Sequence, residues 1–202
     1  MAWKLEKKIA VHVVKPGDAL WEECLMTEYQ VFVDSQYISE NPQKRLIAYD
    51  SYSPVEFICG TVGDEIAGTM RIVYAPDHSK MKFSLFPTID SHEKLRFFPG
   101  KLDDCMAMDP RQCIDIAAMA VKPEHRNSLT SSALVNKIIK NLWSSETLRY
   151  AFAAIDTPFF EKLQSRGIPF ESLSTSTMYW GPYTTAGILD FERISVDYVD
   201  HK

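Results

Sequence analysis

The sequence lacks several features that would assign the protein to a class at once. Its four cysteines form no C-x-x-C pair, and the N-terminus has no apolar segment of the kind that directs export. Cysteines in such a chain are typical of reduced cytosolic thiols, so we expect a cytoplasmic protein without a disulfide framework. No apolar run approaches the ~20 residues of a membrane-spanning helix. Internal repeats and low-complexity tracts are also absent from the sequence.

Positive charge is scarce as well. The chain has 22 Lys and Arg against 27 Asp and Glu, and its net charge is −5. This balance disfavours a nucleic-acid-binding protein with a basic surface. Hydrophobic residues make up 46% of the 202 residues, which is enough to bury a large core and to exclude wholesale disorder. The length predicts one domain over 1–202.

The order of hydrophobic patterns predicts a mixed α/β domain. Pro16-Gly17-Asp18 opens the first helix, with Asp18 as its N-cap. An apolar excursion at 75–111, rich in Met and aromatic residues, interrupts the regular pattern and favours a substrate pocket. The predicted strands are 9–14, 55–62, 66–74, 81–86, 113–121, 149–155, 170–179 and 187–198, and the later helices are 128–143 and 156–166.

The segment 113–143 is the most informative, because it runs from a strand through a turn into a helix. Such a junction gathers free backbone N–H groups and the positive end of a helix dipole, which together bind phosphate. Val121, Pro123, Arg126, Ser131 and Leu134 fit V-x-P-x-x-[RQ]-x-x-G-x-[GA]-x-x-L, so the segment resembles motif A of the GNAT acyltransferase superfamily. The resemblance implies a GNAT-like fold, a mixed central sheet flanked by helices. It also implies that the donor is bound by Met119, Ala120, Val121, Arg126, Asn127, Ser128, Leu129 and Ser131.

Landmarks elsewhere narrow the resemblance. Phe32, Asp50, Gly68-Thr-Met-Arg71, Phe86-Pro87 and Asp115 follow one another as in the autoinducer (acyl-homoserine-lactone) synthases and the N-acyl amino acid synthases. This branch implies transfer of an acyl group from an acyl-CoA or acyl-carrier-protein thioester to the amine of a small molecule. An amino acid or a homoserine-lactone-like compound is the expected acceptor, and no permanently bound cofactor is expected.

Amide formation from a thioester requires a base, oxyanion donors and binding sites for both substrates. Asp115, in an apolar strand, is the candidate general base, and backbone N–H groups at 119–121 are the candidate oxyanion donors. The acceptor-binding candidates are Arg71, Asp50 and Phe32. Arg71 would hold an acceptor carboxylate or pair with Asp50 or Asp115. The acyl pocket is expected to include Met70, Phe83, Phe86 and Met108.

The donor region is basic in an otherwise acidic chain. Between 121 and 150, five Lys and Arg face two Glu, a local net charge of +3. This excess favours docking of an acidic acyl carrier protein, although a solvated helix face gives the same pattern.

Four departures from the family pattern keep a second interpretation open. Leu129 replaces the glycine of motif A, and Phe160 replaces a tyrosine that protonates the leaving thiolate in many family members. Ala117 and Ala118 replace the Ser and Arg that follow the acidic landmark. These changes leave open a degenerate domain that binds an acyl thioester or a protein partner without turnover. A metal site at 103–113 and a Cys/His nucleophile both lack the necessary spacing, so no metal is expected.

Overall fold

The computed structural model describes residues 8–75, 86–126 and 129–194, which form a mixed sheet with helices on both faces. The strands are β1 (Ile9–Val14), β2 (Val55–Val62), β3 (Glu65–Tyr74), β4 (Cys113–Val121), β5 (Tyr150–Asp156), β6 (Phe170–Ser172), β7 (Thr177–Met178) and β8 (Tyr183–Asp190). Their order in the sheet is β1-β2-β3-β4-β5-β8-β6, and β7 pairs with β8. The β4–β5 pair is parallel, and the other pairs are antiparallel.

The helices follow from apolar residues at three- and four-residue spacing. In the longest helix of the second half, Leu134, Ile138 and Leu142 form one buried stripe. The helices are α1 (Trp21–Asp34), α2 (Pro87–Asp90), α3 (His92–Leu95), α4 (Lys101–Met106), α5 (Thr130–Trp143) and α6 (Thr157–Ser165). In the described part of the chain, no helix combines the length and hydrophobicity needed to cross a membrane.

Most of the predicted elements are confirmed. The strands at 9–14, 55–62 and 113–121 have the predicted bounds, and β3 begins one residue earlier than expected. The two hairpin strands join across Gly63-Asp64, where Gly63 has a φ of +65°. This left-handed conformation suits glycine, which has no Cβ to clash with its own backbone.

Other predictions were wrong. Asp18 does not cap α1, because a turn intervenes: its carboxylate accepts the Lys15 N–H (2.7 Å), and Leu20 takes the N-cap position. The strand expected at 187–198 begins at Tyr183 instead, and a 3-10 helix covers 191–193. Only 170–172 and 177–178 of the predicted strand at 170–179 are extended.

Where the structure describes it, the excursion at 75–111 contains the three short helices α2, α3 and α4 and no strand. Phe86, predicted to end a strand, precedes α2 as its N-cap, because Pro87 starts a helix readily at its first position. Residues 81–85 of that predicted strand lie outside the described residues, as do 195–198 of the last predicted strand.

Side chains of successive β3 residues pack against opposite layers of the protein, as strand geometry requires. Met70 and Ile72 join the core beneath α5 and α6, whereas Arg71 between them pairs with Glu28 of α1. The opposite face also carries α2 and α3, whose Ile89 and Leu95 pack with Phe152. The sheet is therefore buried on both faces at its centre.

The sheet opens at its centre, between β4 and β5. Their pairing runs only from Cys113–Tyr150 to Ile116–Ala153, although β4 continues to Val121 and β5 to Asp156. Beyond Ile116, β4 pairs with β3 alone among the described strands. The register with β3 shifts between Arg71 and Ile72, which leaves Ala117 as an extra residue on β4. Such a bulge re-aims the strand, and the sheet opens from that point.

A glycine in β3 allows the close packing next to this opening. A Cβ on Gly68 would lie 2.8 Å from the carbonyl oxygen of Ala120 and 3.2 Å from Thr130 of α5. Backbone carbonyls move only with their strand, so Gly68→Ala is expected to lower the free energy of unfolding by about 1–3 kcal/mol, as measured by urea denaturation. Gly60 lies directly opposite in β2, where a Cβ would have no neighbour closer than 3.5 Å. Gly60→Ala is the matched control, and an equal loss in both variants would contradict the explanation.

Candidate active site

The opening between β4 and β5 contains a cavity of about 370 Å³. Its walls include the diverging strand ends, from Ile116 to Met119 with Val121 on one side and from Ala153 to Asp156 on the other. Residues from both faces of the sheet also line it. The volume lies within the range of small-molecule sites, and the cavity passes through the sheet where strand pairing stops.

On the α1 face, the cavity is lined by aromatic side chains, which we call the aromatic end. Trp180 stacks on Tyr49 with 5.5 Å between ring centroids, and Phe32 meets Trp180 edge-on at 5.9 Å. Trp180 has a φ of 53°, and the next residue, Gly181, has a φ of 106°. This left-handed pair turns the chain so that the indole covers the cavity. The aromatic end consists of Phe32, Tyr37, Tyr49, Tyr179 and Trp180.

On the opposite face, the cavity ends against α5, α6 and the last strands, which we call the apolar end. Its side chains belong to the main hydrophobic core and contribute no polar group. An apolar chain placed here leaves water entirely, which contributes about 0.8 kcal/mol for each CH₂. The apolar end consists of Ile138, Ile139, Leu163, Phe170, Leu189 and Phe191.

Asp115 lies one layer behind the cavity wall, and Thr88 of α2 connects the two. The backbone N–H of Thr88 donates to Asp115 Oδ2 (2.8 Å), and its hydroxyl donates to Oδ1 (3.1 Å). Thr88 itself lines the cavity. Asp115 is fully buried, and burial raises the pKa of Asp115 to about 7, although both bonds from Thr88 oppose that rise. A carboxyl with this pKa exchanges protons near neutral pH.

Arg71 does not line the cavity, and both predicted partners for it were wrong. Its Nε donates to Glu28 Oε1 (3.0 Å), and its Nη2 donates to Glu28 Oε2. The guanidinium carbon lies 5.4 Å from the ring centroid of Tyr49. Asp50 pairs instead with Arg45 (3.0 Å) near the surface. The reason is that α1 carries a buried carboxylate, Glu28, directly over β3, so Arg71 supports the wall of the cavity from behind.

Of the other predicted acceptor and donor residues, several line the cavity. Phe32 lines its aromatic end, and the cavity is also lined by four of the predicted donor-binding residues, Met119, Val121, Arg126 and Ser131. Arg126 donates to Ser35 Oγ (3.0 Å) and to the Val121 carbonyl (3.3 Å), so it joins the turn after β4 to the end of α1. Ala120 is buried away from the cavity, and Asn127 and Ser128 lie outside the described residues.

Leu129 does not obstruct the start of α5. It has a φ of −76°, which any L-residue adopts, and its side chain is 72% exposed. The side chain lines a second cavity of about 710 Å³ beside α5. Three cations, Lys137, Lys140 and Arg166, also line this second cavity, and none of its other described lining residues is acidic.

The predicted acyl-pocket residues divide between two clusters. Met70 lines the cavity. Phe86 and Met108 pack instead with Phe152 in the core under α2 and α3, because the excursion folds onto the other side of the sheet. Phe83 lies outside the described residues. The strand irregularity also lies at Ala117 rather than at the predicted oxyanion segment 119–121.

Phe160 is buried and does not line the cavity. Its ring packs on Phe170 at 5.9 Å between centroids, and a Cβ on Gly187 would lie 2.6 Å from it. The position therefore serves the core, and Gly187 leaves room for the ring within β8.

One cluster away from the cavity has side chains of the type that bind metals. Glu65, Glu124 and His125 place their ligand atoms within 4.8 Å of one another. Lys122 Nζ lies 2.8 Å from Glu65 Oε1, however, and this ammonium already neutralises one carboxylate of the cluster.

Solved structures of other proteins share this architecture. BjaI, a CoA-dependent acyl-homoserine lactone synthase determined with SAM and isopentyl-CoA, has a TM-score of 0.67 and 16% identity over 96% of this chain and 87% of its own. A member of the GNAT family from Desulfovibrio desulfuricans has a TM-score of 0.54 and 14% identity over 91% of this chain and 99% of its own. This chain has the GNAT fold. FeeM, an N-acyl amino acid synthase from uncultured soil microbes, has a TM-score of 0.63 and 10% identity over 95% of this chain and 97% of its own. No protein-family model and no curated protein matches the chain.

The similarity confirms the GNAT fold predicted from motif A and the landmarks. Thr88, Tyr49 and Trp180 were not predicted as site residues. Thr88 directly follows the Phe86-Pro87 landmark, which is the one sequence signal that pointed to it. Trp180 precedes Gly181-Pro182, a turn signal, but nothing in the sequence places that turn over β4 of the GNAT fold.

Proposed function

We propose that the protein is an N-acyltransferase that moves an acyl group from a thioester to the amine of a small molecule. The observation that carries this proposal is one continuous cavity through the sheet. It has an apolar end on one face and, on the other, Thr88, whose hydroxyl donates to Asp115. Two substrates entering from opposite faces would meet at the opening between β4 and β5. Binding both in one cavity lowers the entropic cost of their encounter.

In this mechanism, the acyl chain occupies the apolar end and the thioester carbonyl lies at the opening. Backbone N–H groups of β4 beyond Ile116 face no β5 partner and are suited to stabilise the developing oxyanion. The amine arrives as an ammonium, because an alkylamine has a pKa of ~10. It gives one proton through the Thr88 hydroxyl to the Asp115 carboxylate, and the free amine then attacks the carbonyl carbon.

The tetrahedral adduct collapses with cleavage of the C–S bond. The departing thiolate takes the second amine proton, so the products are an amide and a thiol, and Asp115 returns its proton to solvent. A thiolate with a pKa near ~8.5 leaves readily without a dedicated acid. Such a leaving group is compatible with Phe160, which has no proton to give and is buried in the core.

Both donor types remain candidates for this chain. Arg126 and Ser131 line the cavity beside the start of α5, where the phosphates of acyl-CoA or of a carrier's phosphopantetheine would bind. Lys137, Lys140 and Arg166 beside them suit either the remaining phosphate of CoA or an acidic carrier protein.

The test is release of free thiol by the purified protein with acyl-CoA and acyl-carrier donors and a panel of amines. We expect octanoyl donors to react at least about tenfold faster than acetyl donors, because the apolar end buries the additional CH₂ groups. Donor binding without thiol release from any donor and amine would contradict transfer, and would favour a domain that binds thioesters without turnover.

The apolar end is also testable by narrowing it. Ile138→Phe adds volume to the cavity wall, so we expect octanoyl transfer to fall at least about tenfold while acetyl transfer changes little. Leu142, one turn further along α5, is equally buried but does not line the cavity. Leu142→Phe is the matched control for overpacking, and the same loss of octanoyl transfer in both variants would refute the assignment of the acyl chain to this end.

A further inference from the structure

The aromatic end has an unusual charge distribution for a site that binds an amino acid. Among the described residues that line the cavity, only Arg126 and Asp156 are charged. Arg126 is exposed at the rim, and its Nε and Nη2 already donate to Val121 and Ser35. Asp156 stands at the end of β5. The aromatic end itself therefore presents ring faces and hydroxyl groups.

Arg71 does not supply a positive charge at the aromatic end. Its guanidinium lies behind Tyr49, and both donor atoms that face Glu28 are bonded to that carboxylate. The pair is almost completely buried, with side-chain exposures of 4% and 1%. Its two charges offset each other, so a ligand in front of Tyr49 would experience little net charge from it.

An acidic group, Asp115, lies behind the wall instead. Asp115 receives hydrogen bonds from Thr88, and the described salt bridges give it no cationic partner. A ligand carboxylate at the aromatic end would lose its water without gaining a cation from the described lining residues. Where Asp115 is ionised, the ligand carboxylate would also face it as a like charge. An ammonium would instead be attracted by the faces of the Trp and Tyr rings, and also by Asp115 where that carboxyl is ionised.

We infer that the acceptor is a primary amine on an apolar or aromatic body, with no carboxylate next to the amine. This inference rests on the proposed transfer to an amine and narrows the class of acceptor. It differs from the amino acid expected from the sequence resemblance. Its ammonium would lie against Trp180 and Tyr49, within reach of Thr88, and its body would pack among the remaining rings.

The test is calorimetric titration of the full chain with three ligands of matched shape. Phenethylamine has no substituent beside the amine, phenylalaninamide carries an uncharged carboxamide there, and phenylalanine carries a carboxylate. Measured at a pH at which all three amines are protonated, phenylalanine is expected to bind at least about tenfold more weakly than phenethylamine, because its carboxylate loses water without gaining a cation. Phenylalaninamide is expected to bind within about threefold of phenethylamine, since it differs in size but not in charge.

Variants of Trp180 test the ring face. Trp180→Leu is expected to weaken phenethylamine about fivefold or more, and Trp180→Phe, which keeps a ring, is expected to restore most of that loss. Trp143 is a partly exposed tryptophan at the end of α5 and does not line the cavity. Trp143→Leu is therefore the control, and it should leave binding unchanged.

Three results would overturn the inference. They are equal binding of phenylalanine and phenethylamine, equal losses for phenylalaninamide and phenylalanine, and no binding of any of the three by a protein that releases thiol with another amine. A different outcome separates the two proposals: if phenethylamine is preferred but no donor releases thiol with any amine, the charge selection stands and acyl transfer fails.

Discussion

Replacing Asp115 by Asn is expected to lower kcat by about 10²- to 10⁴-fold, the usual contribution of a general base. The side chain keeps its size and can still accept the backbone N–H of Thr88, but it can no longer take the proton that the Thr88 hydroxyl relays. Steady-state thiol release measures the loss. Asp104→Asn, at a carboxylate of α4 that is 67% exposed, is the control and should retain full activity.

The pH dependence of kcat/KM is a second test of Asp115 as the general base. Burial raises the pKa of Asp115 to about 7, and only its ionised form accepts a proton. We therefore expect kcat/KM to rise about tenfold per pH unit below pH 7 and to level off above it. In Asp115→Asn, the residual rate should show no inflection near pH 7, because the only remaining dependence is ionisation of the amine itself.

As the pH rises through 7, the stability of the native chain should fall while its activity rises. The pKa of Asp115 is about 7 in the folded protein and 3.8 ordinarily, so between these values the folded state binds more protons than the unfolded state. Its contribution to stability is greatest at low pH and is lost as the pH rises through this window. Above pH 7 the buried charge costs on the order of a few kcal/mol. Asp115→Asn should therefore unfold at higher temperature than the native chain at pH 8.

This pairing of results distinguishes a catalytic group from a structural one. A carboxylate that only supports the fold would, when replaced, reduce stability and leave the rate per folded molecule unchanged. Lower thermal stability with unchanged kcat would therefore contradict the assignment of Asp115 as the base.

Removing the charge of Glu28 is expected to lower the free energy of unfolding by about 3–5 kcal/mol, because Glu28→Gln leaves the Arg71 guanidinium buried without a counter-charge. Burial raises the pKa of Glu28 and Arg71 opposes that rise, so the carboxylate and the guanidinium depend on each other. Urea denaturation measures the loss. Glu23→Gln, on the exposed side of α1, should change stability by less than about 0.5 kcal/mol.

Replacing both partners tests the interpretation of the pair. Glu28→Leu combined with Arg71→Met removes both charges and fills similar volume, so most of the lost stability should return. If Arg71 instead bound an acceptor carboxylate, the double variant would raise KM selectively for amino acids over simple amines. That result would contradict the placement of Arg71 behind Tyr49 as a supporting residue.

Local patterns in the sequence were enough to predict much of the fold. The apolar run at 113–121 has the correct bounds because a strand buried on both faces needs apolar residues throughout. The helix over 130–143 follows from its four-residue stripe. The GNAT resemblance also followed from local motifs, because phosphate binding at a strand–turn–helix junction constrains consecutive residues.

The contacts of the candidate site were harder to predict, because they join residues far apart in sequence. Glu28 meets Arg71 across 43 positions, and Thr88 meets Asp115 across 27. No local pattern records such pairings. The excursion at 75–111 was predicted to hold the pocket because it is apolar, but Phe86 and Met108 fill a separate core. Composition identifies apolar side chains without indicating which of two faces they cover.

The departures from the family pattern are local adjustments of packing. Leu129 has an ordinary backbone conformation at the start of α5 and is exposed, so a glycine is not required there for geometry. Ala117 supplies the bulge residue of β4, and its carbonyl accepts the hydroxyl of Tyr49 (2.7 Å). Small side chains at 117 and 118 leave space in the opening between β4 and β5.

In the proposed reaction, a thioester and an amine meet in the opening between β4 and β5 and form an amide. The most direct measurement is mass spectrometry of the reaction of octanoyl-CoA with phenethylamine, alongside quantification of free thiol. We expect the native chain to form N-octanoyl phenethylamine in a one-to-one ratio with thiol, and Asp115→Asn to form at least about a hundredfold less of both. Thiol released together with free octanoate and no amide, or amide formed equally by both proteins, would contradict it.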